Sequence, residues 1–274
     1  MVTPAFRPDH DPAATVRLLA VRRNGCYAFL VMEITIAELV RNGTMSAEIA
    51  ATLWAAVDEQ RSFLTVAIPR FAGKSTLSNA VLAVRPPEVG LHPVAGEPEL
   101  MERLEQERLG GYLVVGEFSQ APVPGYIWGA PVRRVFEALS AGYSLQAALH
   151  APSVEEAIRI VTEVNGVSDE QASAVDLVLY IERCGEDEDS FWRRLAEVYE
   201  LDRVVGGKPQ GRTLYRWVEE GDHFEAVEAP RGFATERSEI EARTAIIAEL
   251  AASGRTSESE LTAAIQAYRA GSSG

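Results

Sequence analysis

Apolar residues along this chain follow two rhythms. Short runs rich in β-branched and aromatic residues read as buried strands. Longer runs with apolar positions three or four residues apart read as helices. The sharpest change of rhythm lies within residues 61–84. Residues 62–68 form a short apolar run with β-branched members, and Pro69-Arg70-Phe71-Ala72-Gly73 cannot continue it. Residues 74–84 then place Leu77, Ala80, Val81 and Val84 at helical spacing, so the pattern predicts strand, tight loop and helix.

The same reading extends both ways. Residues 1–13 read as a loosely ordered lead-in. Two strand-like runs, 16–21 and 26–31, flank Asn24-Gly25, a strong hairpin signal. A short helix at 36–41 is closed by Asn42-Gly43. Ser46 caps a longer one through Gln60, with Ile49, Leu53, Trp54 and Val57 as its buried stripe. Past Pro86-Pro87 the pattern predicts a strand at 89–95, a charged helix at 100–109 and a strand at 112–117. A Pro/Gly loop follows at 118–131, then a helix at 132–141, a strand at 144–150 and a helix at 154–163 capped by Ser153. A short helix at 169–174 leads to strands at 175–181 and 191–199 around an acidic turn. Residues 206–209 read as a linker, 212–218 and 223–227 as a second hairpin. Residues 237–252 and 257–268 read as a helix pair, with an unordered tail at 271–274.

Composition narrows the class. A chain of 274 residues, 47% hydrophobic and 24% charged, is globular. No apolar run approaches the ~18 residues of a membrane span. The polar, Pro-rich start lacks the basic and apolar parts of a signal peptide, so a cytoplasmic location is expected, with peripheral membrane attachment left open. Cys26 and Cys184 lie far apart without metal spacing and are expected to be reduced. A net charge of −14 argues against non-specific nucleic-acid binding. Basic residues are almost all arginine: the only lysines are Lys74 and Lys208.

Lys74 sits in Gly73-Lys74-Ser75-Thr76, the second half of a phosphate-binding loop. Such loops hold anions because backbone N–H groups at a helix N-terminus point at the phosphate and the helix dipole favours it. Lys74 would reach the β- and γ-phosphates of ATP, and the Ser75 hydroxyl would ligate Mg²⁺. The first glycine of G-x-x-x-x-G-K-[ST] is replaced by Ile68, and Pro69 removes a backbone donor. Glu117 ends a hydrophobic strand, where a carboxylate can hold Mg²⁺ through water or polarise an attacking water. His150 ends another.

The order of these pieces resembles the type II/IV secretion ATPases, the motors of secretion systems, pili and archaeal flagella. The resemblance is carried by Asn42-Gly43-Thr44-Met45-Ser46, Gly73-Lys74-Ser75-Thr76, Val114-Val115-Gly116-Glu117, Ala141-Gly142-Tyr143 and Leu149-His150-Ala151-Pro152-Ser153. Leu214-Tyr215-Arg216-Trp217 and Ile240-Glu241-Ala242-Arg243 extend it, so that it covers about residues 16–268. It implies a RecA-like P-loop NTPase core of α/β class with a mostly parallel central sheet at residues 35–205. A small β-hairpin region at 1–34 and a C-terminal hairpin and helical appendage at 206–274 complete it. By position, Gly73, Lys74, Ser75 and Thr76 would bind ATP and Mg²⁺, Glu117 would be the Walker B carboxylate and His150 the His-box residue. Glu97 or Glu99 would stand at the acidic box. The resemblance further implies a homo-oligomeric ring or hexamer, or a mixed ring with a full-length motor, docking on an inner-membrane platform protein. The chain departs from the family pattern at Ile68, at Tyr143 and at Ser119-Gln120, where an arginine is absent. These departures keep a second reading open, a non-catalytic paralogue that serves as a scaffold or regulator of a true motor.

Overall fold

The computed structural model describes residues 21–23, 26–28, 34–68, 72–187 and 190–272. The lead-in at 1–13, the Asn24-Gly25 turn and loop residues 69–71 lie outside the described residues. The chain divides into two units, Met1–Glu33 and Ile34–Gly274. In the first, β1 (Val21–Arg23) and β2 (Cys26–Ala28) pair antiparallel, with Arg22 opposite Tyr27.

The second unit is mixed α/β. It begins with α1 (Ile36–Arg41) and α2 (Ala47–Asp58), each started by a hydroxyl cap: Glu38 N–H donates to Thr35, Ile49 N–H to Ser46. β3 (Phe63–Ala67) and α3 (Lys74–Ala83) follow the predicted strand, loop and helix. Next come β4 (Leu91–Pro93), α4 (Pro98–Glu107), β5 (Tyr112–Phe118), β6 (Tyr126–Ile127), α5 (Ala130–Leu139) and β7 (Ser144–His150). α6 (Val154–Arg159) continues into a π-helical turn at Ile160–Val164, and α7 (Asp169–Ala172) precedes a long antiparallel meander. That meander is β8 (Leu177–Asp187), β9 (Ser190–Val205), β10 (Lys208–Val218) and β11 (His223–Ala226). α8 (Arg237–Ser253) and α9 (Glu258–Ser272) close the chain.

The nine-stranded sheet among the described residues runs β11-β10-β9-β8-β3-β7-β5-β4, with β6 beside β5. β8, β3, β7, β5 and β4 are mutually parallel, and β9 to β11 extend the sheet antiparallel. β3 therefore lies at the centre, flanked by strands that come later in the chain. Its side chains alternate between two apolar layers. Phe63 and Ala67 join Leu77, Val81, Leu53 and Trp54 on one face; Leu64 and Val66 join Val132, Phe136 and Ile158 on the other. This two-sided burial explains why β3 reads as a continuous apolar run rather than an alternating one.

Several expectations change. Residues 206–209 are not a linker: Gly206 and Gly207, both at positive φ, make the tight turn between β9 and β10, and Val205 pairs with Lys208. The C-terminal helical appendage packs into the core, where Ile247, Leu250, Leu261 and Ile265 share the apolar cluster of α2 and α3. The Arg243 guanidinium packs on the Trp54 and Tyr268 rings and pairs with Asp58 at 2.9 Å. α9 also runs to Ser272, into the segment expected as unordered. Strand length escapes the sequence pattern as well, since β8 and β9 grow by pairing with each other beyond the parallel core.

Candidate functional site

In an open α/β sheet, ligands bind at the carboxyl ends of the strands, where the strand order reverses. Here that place is the C-terminal end of β3, between β8 and β7. Gly73 stands there at φ +98° and opens α3. Only glycine takes this conformation without strain. The first-turn N–H groups of α3, on Lys74, Ser75 and Thr76, have no intrahelical acceptor. The helix is fixed to the sheet by a buried polar trio. Thr65 on β3 and Ser78 on α3 share a hydroxyl contact of 2.8 Å, and Gln146 Nε2 on β7 donates to Ser78 at 3.0 Å. This trio holds the loop between the two central strands.

Lys74 is buried, and its Nζ lies 3.3 Å from a carboxylate oxygen of Glu117. A residue from α3 and one from β5 thus meet although β7 separates their strands. A β-bulge makes this possible. Val115 pairs with Ala147 but Phe118 with Leu149, so β5 carries one extra residue at Gly116-Glu117. Such a bulge bends the strand and re-aims the side chain. Gly116 is needed here too, because a Cβ on it would come within 2.9 Å of the Gly125 carbonyl.

His150 is the last residue of β7, exposed, and pairs in register with Ala67, the last residue of β3. It therefore stands at the same edge as the loop. Ser75 is exposed and Thr76 half-buried in the first turn of α3. Glu97 and Glu99 are used differently. Glu97 accepts the Ala95 N–H at 3.0 Å within its own turn and starts α4, with Glu99 in the first turn. Ile68, at the position of the missing glycine, is 45% exposed.

Sequence reasoning missed a basic group over this loop. β8 leaves β3 after the Tyr180–Val66 pair but continues with β9, so residues 181–187 and 190–195 form an arm past the sheet edge. On one face of the arm, Arg183 pairs opposite Arg193. Both guanidinium groups stack on the Phe191 ring, at 4.0 and 4.7 Å from its centroid. Arg193 reaches the loop: a Cβ on Gly73 would lie 2.7 Å from its Cδ and 3.0 Å from its Nε. The signal was present as arginines flanking an acidic turn, but the register that joins them is not readable from one sequence.

Among the described residues no group of three His, Cys, Asp or Glu could cage a metal. Nucleotide-bound Mg²⁺ needs no such cage. It keeps water and phosphate oxygens and takes one or two protein oxygens, a role that the Ser75 hydroxyl and the Glu117 carboxylate fit. A cleft of about 410 Å³ lies elsewhere, between α8 and α9 beside Leu250, Arg255 and Tyr268. No helix among the described residues is long and apolar enough to cross a membrane.

No protein-family profile matches the chain. It is 26% identical over 215 residues to an uncharacterised protein of Methanocaldococcus jannaschii, a match that takes in 69% of this chain and 77% of that protein. Among solved structures it is similar to the VirB11 ATPase of the Brucella suis type IV secretion system, solved in complex with sulphate, at 15% identity and a TM-score of 0.41. That match covers 60% of this chain and 54% of that one. It is also similar to the Legionella pneumophila ATPase DotB, at 13% identity and a TM-score of 0.36, covering 52% of this chain and 46% of that one. The chain thus matches about half the length of these two solved chains.

Proposed function

We propose that this chain binds ATP with Mg²⁺ at the C-terminal edge of β3, through a RecA-like P-loop core, as a subunit of the secretion-motor type. The observation that carries the reading is the Lys74–Glu117 pair at 3.3 Å. Two residues chosen from separate motifs, 43 positions apart in the numbering of the chain, meet at one helix N-terminus. In this reading the Gly73–Thr76 backbone and Lys74 hold the phosphates, and Ser75 Oγ takes the metal. Bound Mg²⁺ would supply neutralisation of charge on the β- and γ-oxygens. Glu117, released from Lys74 when the ammonium turns to phosphate, orients or polarises the attacking water. In this reading the His150 ring hydrogen-bonds a terminal phosphate from the end of β7. Ring assembly, a platform protein in the inner membrane and a cytoplasmic location with peripheral attachment belong to the same reading, through the resemblance of the motifs.

A second reading, a scaffold that has lost turnover, is favoured by Ile68 at the position of the loop's first glycine. The two part in titration calorimetry with Mg-ATP. The nucleotide reading expects saturable binding by the wild type and its loss in Lys74→Ala. No binding at millimolar Mg-ATP would leave the scaffold reading standing alone.

A further inference from the structure

This chain lacks the arginine that the family pattern carries after Glu117, yet the fold brings two arginines to the loop from another direction. Cross-strand residues directly opposite each other share a face, and like charges in that arrangement repel. Arg183 and Arg193 are such a pair. Burial presses the Arg193 pKa downward, and the Arg183 charge presses it further. A guanidinium nonetheless stays charged at neutral pH. The face therefore carries two cations packed around one aromatic ring. The anion-seeking N-terminus of α3 lies directly beneath, since Arg193 crosses Gly73.

The arm is anchored at the two residues that follow Arg193. Leu195 N–H donates to the Thr44 carbonyl at 2.7 Å in the turn between α1 and α2. Arg194 makes a two-pronged pair with Asp222, at 2.7 Å and 2.6 Å, in the turn between β10 and β11. Trp217 Nε1 donates to the same Asp222 at 2.8 Å. Successive strand residues point to opposite faces. Fixing Arg194 and Leu195 to their neighbours therefore commits Arg193 to the loop side.

We propose that the β8–β9 arm supplies, within the same chain, the arginine that contacts the terminal phosphate of a bound nucleoside triphosphate, with Arg193 as the contact and Arg183 behind it. This rests on the nucleotide reading of the Lys74 loop. An arginine contributed by the subunit's own sheet makes phosphate sensing independent of a neighbouring subunit, and it places the sensor on an element that crosses from the loop to the α1–α2 turn.

The test is calorimetric titration of wild type, Arg193→Ala and Arg193→Lys with Mg-ATP and separately with Mg-ADP, alongside melting curves. A lost charge-assisted phosphate contact is expected to weaken Mg-ATP binding by about tenfold or more while Mg-ADP changes by less than about threefold. Arg193→Lys should recover part of the ATP affinity, because it keeps the charge but not the fork. Should Arg193→Ala fail to fold, the ATP-to-ADP affinity ratio of Arg193→Lys decides, since a structural role would shift both ligands together. Equal effects on both nucleotides, or none, would overturn the assignment while leaving the nucleotide site intact. Tighter binding of both would also overturn it, by making Arg193 a plug over the loop. Absence of Mg-ATP binding in the wild type would remove the underlying site reading itself.

Discussion

The Lys74–Glu117 pair can be measured without any ligand, through a double-mutant cycle. Both side chains are mostly buried, 8% and 13% exposed, and 3.3 Å apart, which corresponds to an attraction of about 5 kcal/mol at an effective dielectric of about 20. Part of that is offset by taking two charges out of water. Lys74→Met leaves a mostly buried carboxylate without its partner, and Glu117→Leu leaves a mostly buried ammonium without its own. Each single variant is expected to lose about 2–4 kcal/mol of stability. The double variant removes both charges and should lose far less than the sum, giving a coupling of about 2 kcal/mol or more. Urea unfolding of the four proteins, followed by circular dichroism, gives the numbers. Near-additive losses, with a coupling below about 0.5 kcal/mol, would refute the pairing and with it the convergence of α3 and the β5 bulge.

Two further outcomes follow from neighbouring contacts. Gly73→Ala places a side chain at φ +98° and 2.7 Å from Arg193 Cδ, so it should cost about 1–2 kcal/mol for the backbone plus a steric penalty. Melting curves of Gly73→Ala with and without Arg193→Ala check this, because only the steric part is relieved when Arg193 is truncated. The second concerns pH. Burial pushes the Glu59 carboxyl up, but the Thr235 hydroxyl and backbone hydrogen bonds, with Arg61 nearby, hold it below its ordinary value of 4.5. A carboxylate with a depressed folded pKa stabilises above its unfolded pKa and loses that contribution as pH falls through the folded one. Thr235→Val should therefore be less stable than wild type at neutral pH, with the gap closing well below 4.5, as read from urea midpoints across that range.

The elements of the central fold were legible because each rests on local chemistry. Gly73 and Lys74 mark a strand-to-helix turn, Ser46 and Ser153 mark helix starts, and the apolar runs at 63–67 and 144–150 mark strands buried on both faces. The candidate residues were legible too, as a lysine and a carboxylate in separate short motifs. Local rules alone did not give strand length or register. β4 shrank to Leu91–Pro93, β9 grew to Ser190–Val205, and the supposed linker at 206–209 became a hairpin turn, because pairing partners decide how far a strand extends.

By itself, then, the sequence determined the alternation of strands and helices, the two-faced burial of the central strands and the chemical types available at their carboxyl ends. Those properties depend on side-chain periodicity and on caps that act within a few residues. Tertiary structure alone decided which ends meet. The bulge at Gly116-Glu117 turned one carboxylate toward Lys74, and the pairing of β8 with β9 carried Arg193 to Gly73, 120 positions away in the numbering. Both depend on hydrogen-bond register between strands distant in the chain, and register is fixed by the whole packed sheet rather than by any window of sequence.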